Sequence, residues 1–253
     1  MVETWSIPYP ASTGKEPRKV YVYVPDSFDA DDTLRYPVLY MFDGHNVFFD
    51  EDATYGKCWG LKEYMDKEEK QLMIVAVECN QHPDGGRLSE YTPFAFRYKR
   101  CSIVPRAEET LDWYTGVLKP MIDKLYPTLP DREHTFIAGS SMGGLMSLYA
   151  LLTRNAVFSR AAALSPSLWV APQAVGELIR TADIAPGTIL YMDYGEQEMS
   201  NRRAMPRAWQ TVCTQLFKRE VLLTSRIVPG GTHCEASWEK QIPYFINTLL
   251  YQQ

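Results

Sequence analysis

Histidine is scarce in this chain. Four imidazoles among 253 residues leave few places for chemistry that needs one at neutral pH. Cysteine is nearly as thin. Cys58, Cys79, Cys101, Cys213 and Cys234 form an odd set with no C-x-x-C spacing. That disfavours a disulfide framework in a chain this long, and a metal cluster even more. They read as reduced thiols, so a cytoplasmic setting and no metal are expected. Basic charge is in deficit, with a formal net charge of −5. Nucleic-acid binding through phosphate contacts draws on clustered Lys and Arg and is not expected. The opening "MVETWSIPYPASTGKEPRK" lacks the apolar core of a signal peptide, and no later run is long enough to cross a bilayer. A membrane partner is therefore not expected either. Internal repeats and low-complexity linkers are missing too, and one α/β domain over residues 1–253 is the expectation.

What the chain does have is 45% hydrophobic residues, ample for a core. Short β-rich runs alternate with longer helical patterns, which predicts a mostly parallel sheet covered by helices. The expected strands are Thr4–Ile7, Lys19–Val24, Val38–Phe42, Met73–Val77, Thr135–Ala138, Ala161–Leu164, Ile189–Tyr194 and Leu222–Val228. The first two are joined by a short, turn-rich segment and should pair antiparallel at one edge. A helix is predicted over Glu108–Tyr126, with Leu111, Tyr114, Leu118, Ile122 and Leu125 on one face. Others are predicted over Met142–Thr153, Asn201–Arg219 and Glu235–Leu250, the last kinked or restarted at Pro243. The segment Glu78–Arg106 has little regular pattern but contains "GRLSEYTPFAFRYKR"; long irregular connections tend to carry function. The path from Leu164 to Ile189 holds one helix at about 1.5 Å per residue, leaving no space for a large lid.

The stretch "HTFIAGSSMGGLMSLYALL" carries the most specific chemical signal. Gly139-Ser140-Ser141-Met142-Gly143 matches G-x-S-x-G between an expected strand and an expected helix. In that context it reads as a nucleophile elbow, with Ser141 raised on a strained turn and small neighbours letting strand and helix pass closely. A glycine turn without chemistry is the competing reading. A serine hydroxyl needs a base, and the base needs an orienting acid. In this arrangement the chain order is serine, acid, histidine. His45, His82 and His134 precede the serine, which leaves His233, in "PGGTHCEASW", as the base. The acid should lie at the end of the preceding strand, where "ILYMDYGEQEMSNRR" offers Asp193, Glu196 and Glu198. Asp193 falls inside the expected strand, and the residues alone leave Glu196 and Glu198 open. An oxyanion needs two donors in place. The backbone N–H of Met142 is one; the other is expected from His45, after the first central strand, with Gly44 giving room.

Taken together, "YPVLYMFDGHNVF", "GRLSEYTPF", "IAGSSMGGLMSLYALL", "ALSPSLW", "DYGEQE" and "GGTHCEASW" resemble the putative-esterase family of the α/β-hydrolase superfamily. That family includes esterase D-like enzymes, feruloyl and acetyl-xylan esterases, siderophore trilactone esterases and mycolyltransferases. The resemblance runs in order from about Lys19 to Leu250. It implies an α/β-hydrolase fold, a mostly parallel eight-stranded sheet with helices on both faces. The family's acid follows a strand-end glycine by three residues, which carries over to Gly195 and Glu198. Its G-x-H-x-E-x-x-W element maps onto His233, with Glu235 and Trp238 as structural neighbours. Where relatives often read D-G-Q-N, this chain reads Asp43-Gly44-His45-Asn46, keeping a backbone donor.

The expected activity is hydrolysis of carboxylic esters through a Ser141–His233–Glu198 triad and an acyl-enzyme, without cofactor, on a small-molecule ester. An open cleft would admit acyl-sugar, phenolic or other bulky esters. Tyr91, Phe94, Phe96 and Trp169 are expected at its rim, with Gly44 and Asn46 as further substrate contacts. Packing of the long loop is the plainer role for those aromatics. Arg97, Arg100, Arg202 and Arg203 could receive an acidic substrate or simply be solvated. An acyltransferase would use the same triad, a non-catalytic binding module would have lost it, and nothing marks a peptidase.

Overall fold

The computed structural model describes residues 1–10, 16–29, 33–201 and 204–251. Arg202 and Arg203 lie outside the described residues. In chain order the strands are β1 (Val2–Ile7), β2 (Arg18–Tyr23), β3 (Val38–Met41), β4 (Met73–Val77), β5 (Phe96–Tyr98), β6 (Cys101–Ile103), β7 (Thr135–Ser140), β8 (Arg160–Leu164), β9 (Thr188–Gly195) and β10 (Val221–Val228). Eight of them form one sheet in the order β1-β2-β4-β3-β7-β8-β9-β10. β2 pairs antiparallel with both its neighbours and the remaining pairs are parallel. This is the expected α/β-hydrolase architecture, including the antiparallel edge.

The central strands are buried along their whole length, as in β4 "MIVAV" and β9 "TILYMDYG". Parallel strands covered on both faces read as continuous apolar runs for this reason. Their period of two sends Val75, Val77 and Tyr40 into one core layer, and Ile74, Ala76 and Met41 into the other. Helices α3 (Ala107–Trp113), α4 (Lys119–Leu125), α5 (Met142–Thr153), α6 (Pro172–Thr181) and α8 (Met205–Leu216) contribute to the first layer; α1 (Leu61–Lys67) and α10 (Ile242–Leu249) cover the second. Helix α5 is buried all round except at Tyr149 and Thr153, as expected of a helix wedged against the sheet. α6 is the one helix between β8 and β9, and no large lid stands there.

Several elements depart from expectation. A π-turn at Tyr114–Leu118 separates α3 from α4. Its wider turn rotates α4 relative to α3, so Leu111, Tyr114, Leu118 and Ile122 are buried while Leu125 is exposed. The helix expected over Asn201–Arg219 is the shorter α8, and a helix not expected there, α7 (Glu196–Asn201), precedes it. The last helix is divided, into α9 (Glu235–Glu239) and α10, with Pro243 in the first turn of α10, where its missing N–H costs nothing. The connection 78–106 contains a short helix, α2 (Gly86–Glu90), and the β5–β6 hairpin. A buried carboxylate fixes it to the body. Glu90 Oε2 accepts from Arg18 Nη2 at 3.2 Å and from the Asn80 N–H at 3.1 Å.

Candidate active site

At the β7–α5 junction the chain must turn between two buried elements in one residue. Ser141 makes that turn at φ 58°, ψ −116°, a conformation that costs an L-residue about 1–3 kcal/mol. Its N–H donates to the Leu164 carbonyl at 2.9 Å, and its carbonyl accepts from the Ser167 N–H at 2.9 Å. The glycines around it are required by contact. A Cβ on Gly139 would stand 2.8 Å from the Gly143 backbone, and one on Gly144 2.7 Å from the Leu164 carbonyl oxygen.

His233 hangs from the loop that follows β10. Its Nε2 is 2.9 Å from Ser141 Oγ, and its Nδ1 is 2.5 Å from Glu198 Oε2. A carboxylate only accepts, so Nδ1 carries the proton and Nε2 is left to receive one from the hydroxyl. Glu198 is held in turn by the Gly195 N–H at 3.0 Å and the Ser165 hydroxyl at 2.7 Å, both on Oε1. Trp238 braces the array twice. Its ring stands edge-on to the imidazole at 5.1 Å, and its indole N–H donates to Ser165 Oγ at 2.9 Å. The other two acidic candidates point elsewhere. Glu196 accepts from the Gly230 N–H. Asp193 is buried in β9, accepts from the Tyr191 hydroxyl, and is pushed up to about 6, chiefly by burial.

The N–H of Met142 opens α5, and that of His45 lies in a 3-10 turn over Gly44–Asn46; among the described residues neither donates to a protein group. The turn is set by Asp43, in the left-handed region at φ 58°. The Asp43 N–H donates to the Tyr91 hydroxyl, and its carboxylate takes a double hydrogen bond from Arg87, Nε to Oδ1 at 2.6 Å and Nη2 to Oδ2 at 2.7 Å. Burial works against the Asp43 carboxylate, but the guanidinium outweighs it and holds the group below its usual range. The His45 side chain is buried, with Nε2 on the Thr54 hydroxyl at 3.0 Å.

Two cavities meet at Ser141. The larger, 570 Å³, runs past Asp43, His45, Asn46 and Glu235; the smaller, 430 Å³, runs past Met142, Trp169 and Tyr194. Arg87, Leu88, Tyr98, Ser141 and His233 line both. Four of the expected substrate contacts need correction. Tyr91 is fully buried beneath the Asp43 turn rather than at the rim, because α2 folds inward there. Gly44 faces β4, where a Cβ would meet the Ala76 and Val77 backbone at 2.7 Å, so its room serves the turn and not a ligand. Phe94 packs edge-on against Tyr149 at 6.2 Å and lines neither cavity. Phe96 stands edge-on to Trp169 at 5.6 Å, and only Trp169 reaches a cavity wall. Arg97 and Arg100 are exposed and line neither cavity. Arg87, Leu88 and Tyr98 escaped residue-level notice, although all three lie in the irregular connection already marked by its composition.

The chain is similar to known proteins over nearly its whole length. The family model described as "Putative esterase" matches residues 11–250. The uncharacterized protein YbbA of Bacillus subtilis (strain 168) is 24% identical over 92% of this chain and 91% of its own. An IroE-like serine hydrolase from Shewanella oneidensis superposes with a TM-score of 0.77 at 18% identity, over 98% of this chain and 79% of that one. The siderophore hydrolase EstA from Aspergillus nidulans does so with a TM-score of 0.68 at 16% identity, over 98% and 95% of the two chains. Among the described residues no helix is long and apolar enough to cross a membrane, and no group of His, Cys, Asp or Glu is arranged to hold a metal ion.

Proposed function

The chain belongs to the putative esterase family, and from that premise we propose that it is a serine carboxylesterase working through Ser141, His233 and Glu198. The observation that carries this reading is the pair of contacts on one imidazole, 2.9 Å to the serine oxygen and 2.5 Å to the carboxylate. Ser141 Oγ attacks the ester carbonyl carbon while His233 Nε2 takes its proton. The carbonyl oxygen becomes an oxyanion that accepts from the N–H groups of Met142 and His45. As the tetrahedral intermediate collapses, the C–O bond to the alcohol breaks and His233 returns the proton to the departing oxygen, leaving an acyl-Ser141. Water then repeats the sequence and releases the acid. Glu198 accepts from Nδ1–H and so holds the ring in the tautomer that leaves Nε2 facing Ser141.

The cleft's two cavities, each within the range of about 300–1,000 Å³ typical of small-molecule sites, suit an ester with a sizeable group on both sides of the carbonyl. Acyl-sugar and phenolic esters are of that kind, and the likeness to a siderophore hydrolase supports a bulky substrate. The test is a panel running from short p-nitrophenyl esters to feruloyl and acetylated sugar esters, with Ser141→Ala as control. Turnover should fall by about 10⁴-fold or more in the variant. Equal rates in wild type and variant would remove Ser141 from the mechanism.

A further inference from the structure

The two cavities differ in what faces Ser141 from each side. The smaller adds Met142, Trp169, Tyr194 and Met205, with Ser165 and Gln197 among them. The larger adds Asn46, Thr54, Asn80, Gln81, Ser140 and Glu235. Its floor holds two carboxylates against one guanidinium. Asp43 and Arg87 neutralise each other through their double hydrogen bond. Glu235 lies on the same cavity wall, 6% exposed, and among the described residues no Lys, Arg or His forms an ion pair with it. Burial raises its carboxyl above the ordinary range; its own backbone N–H opposes the rise, the charge of Asp43 adds to it, and the more distant His233 and Arg87 oppose it. A buried carboxylate with no direct ion-pair partner is satisfied by a proton or by an arriving cation.

Resting on the reading of Ser141 as nucleophile, we propose that Glu235 is a specificity-determining residue that selects esters by the charge of their polar arm. An arm ending in an ammonium group enters the larger cavity and supplies the missing counter-charge. An arm ending in a carboxylate is rejected, because it adds a third negative group to a confined floor. The opposite arm fills the smaller cavity, against Trp169, Tyr194 and Met205. Glu235 takes no part in proton transfer, so a neutral arm is handled without regard to its charge.

Three matched esters test this: one apolar acyl group on a choline-type alcohol, on its neutral tert-butyl isostere, and on a carboxylate-bearing alcohol of similar length. The same three heads are also placed on the acyl side of an apolar alcohol, since either side of the carbonyl can occupy the polar cavity. In the series turned over faster, kcat/KM for the cationic ester should exceed that for the anionic ester by about tenfold or more. In Glu235→Gln that ratio should fall towards one, whereas Glu235→Asp should keep the sign of the preference. As a second readout on the wild-type enzyme, tetramethylammonium should inhibit competitively at lower concentration than acetate. A wild-type ratio near one, an unchanged ratio in Glu235→Gln, or equal inhibition by the two ions overturns the inference. Ser141→Ala separates the two levels. If it still hydrolyses the neutral ester, the nucleophile reading fails; if it is inert while the charge ratio ignores Glu235, only the charge-selection role fails.

Discussion

Arg87 reaches across from α2 to grip Asp43 with two parallel hydrogen bonds of 2.6 and 2.7 Å, and so ties the irregular connection to the turn that presents the His45 N–H. The same guanidinium lies over the Tyr91 ring at 5.5 Å, and Tyr91 in turn accepts the Asp43 N–H. A non-glycine residue at φ 58° is thereby clamped from its side chain and its backbone at once.

Breaking that clamp should damage catalysis more than binding. We predict that Arg87→Met lowers kcat by about 10²-fold, the scale of losing one oxyanion donor, with KM changed far less. It should also destabilise the fold by about 3–5 kcal/mol, since it strands a buried carboxylate. The double variant Arg87→Met/Asp43→Asn should recover much of the stability but not the kcat. Steady-state kinetics beside urea denaturation check both, and a kcat restored together with stability would reduce the pair to a structural role.

The two neighbouring glutamates should separate cleanly. Glu198→Gln keeps the shape but offers an amide that can hold the imidazole in the wrong tautomer, and a loss of about 10⁴-fold in kcat is expected. Glu196, whose one hydrogen bond among the described residues comes from the Gly230 N–H, should tolerate Glu196→Gln within about threefold of wild type. The reverse order in the same assay would reassign the acid.

Glycine at the elbow is a matter of clearance, and the effect can be read as stability. Gly144→Ala puts a Cβ 2.7 Å from the Leu164 carbonyl oxygen and should cost about 1–3 kcal/mol. Gly116→Ala, with no atom within 4 Å of the new Cβ, should be neutral or stabilising by up to about 1 kcal/mol. Thermal unfolding of the two variants gives the comparison, and equal Tm values would contradict it.

Glu90 gives the fold a pH dependence. Burial, outweighing the Arg18 charge, raises its carboxyl from 4.5 to about 7. The folded state therefore binds this proton more tightly than the unfolded chain. The associated stability is complete below pH 4.5 and is lost as pH rises through about 7. Glu90→Gln should flatten the decline in unfolding free energy over that window, leaving the share of the same sign that comes from Asp193, raised to about 6, and from Glu235, also raised by burial. Urea titrations at intervals across the window test this; a slope that rises with pH in the wild type, or survives unchanged in the variant, would refute it.

Most of the sheet was legible because each parallel strand is a short β-branched or small apolar run bounded by turn residues, and such runs need little tertiary context. The Ser141 and His233 positions were legible from spacing and order, and they do lie within hydrogen-bond reach of each other. What the sequence hid depends on long-range placement. Leu125 fits the helical stripe and is exposed only because a π-turn intervenes. Tyr91 looks like a rim aromatic until α2 turns inward and buries it under Asp43. Short elements such as α1 and the β5–β6 hairpin carry too few residues for a period to show. Glu235 sits in a recognisable motif, yet nothing in that motif says its carboxyl borders a cavity beside a second acid.

Among the described residues strand β10 is bonded to the sheet on one side only, through β9, and nearly half of its Leu222 and Ile227 surfaces remain in water. The imidazole of His233 is suspended from this margin, while Ser141 is anchored at the sheet's centre. Warming should therefore fray the protein from the histidine side, so that amide protons of β10 exchange and ester turnover fades while those of β7 are still protected. Thermal inactivation of this molecule would then report the detachment of one ribbon, and not the melting of the whole.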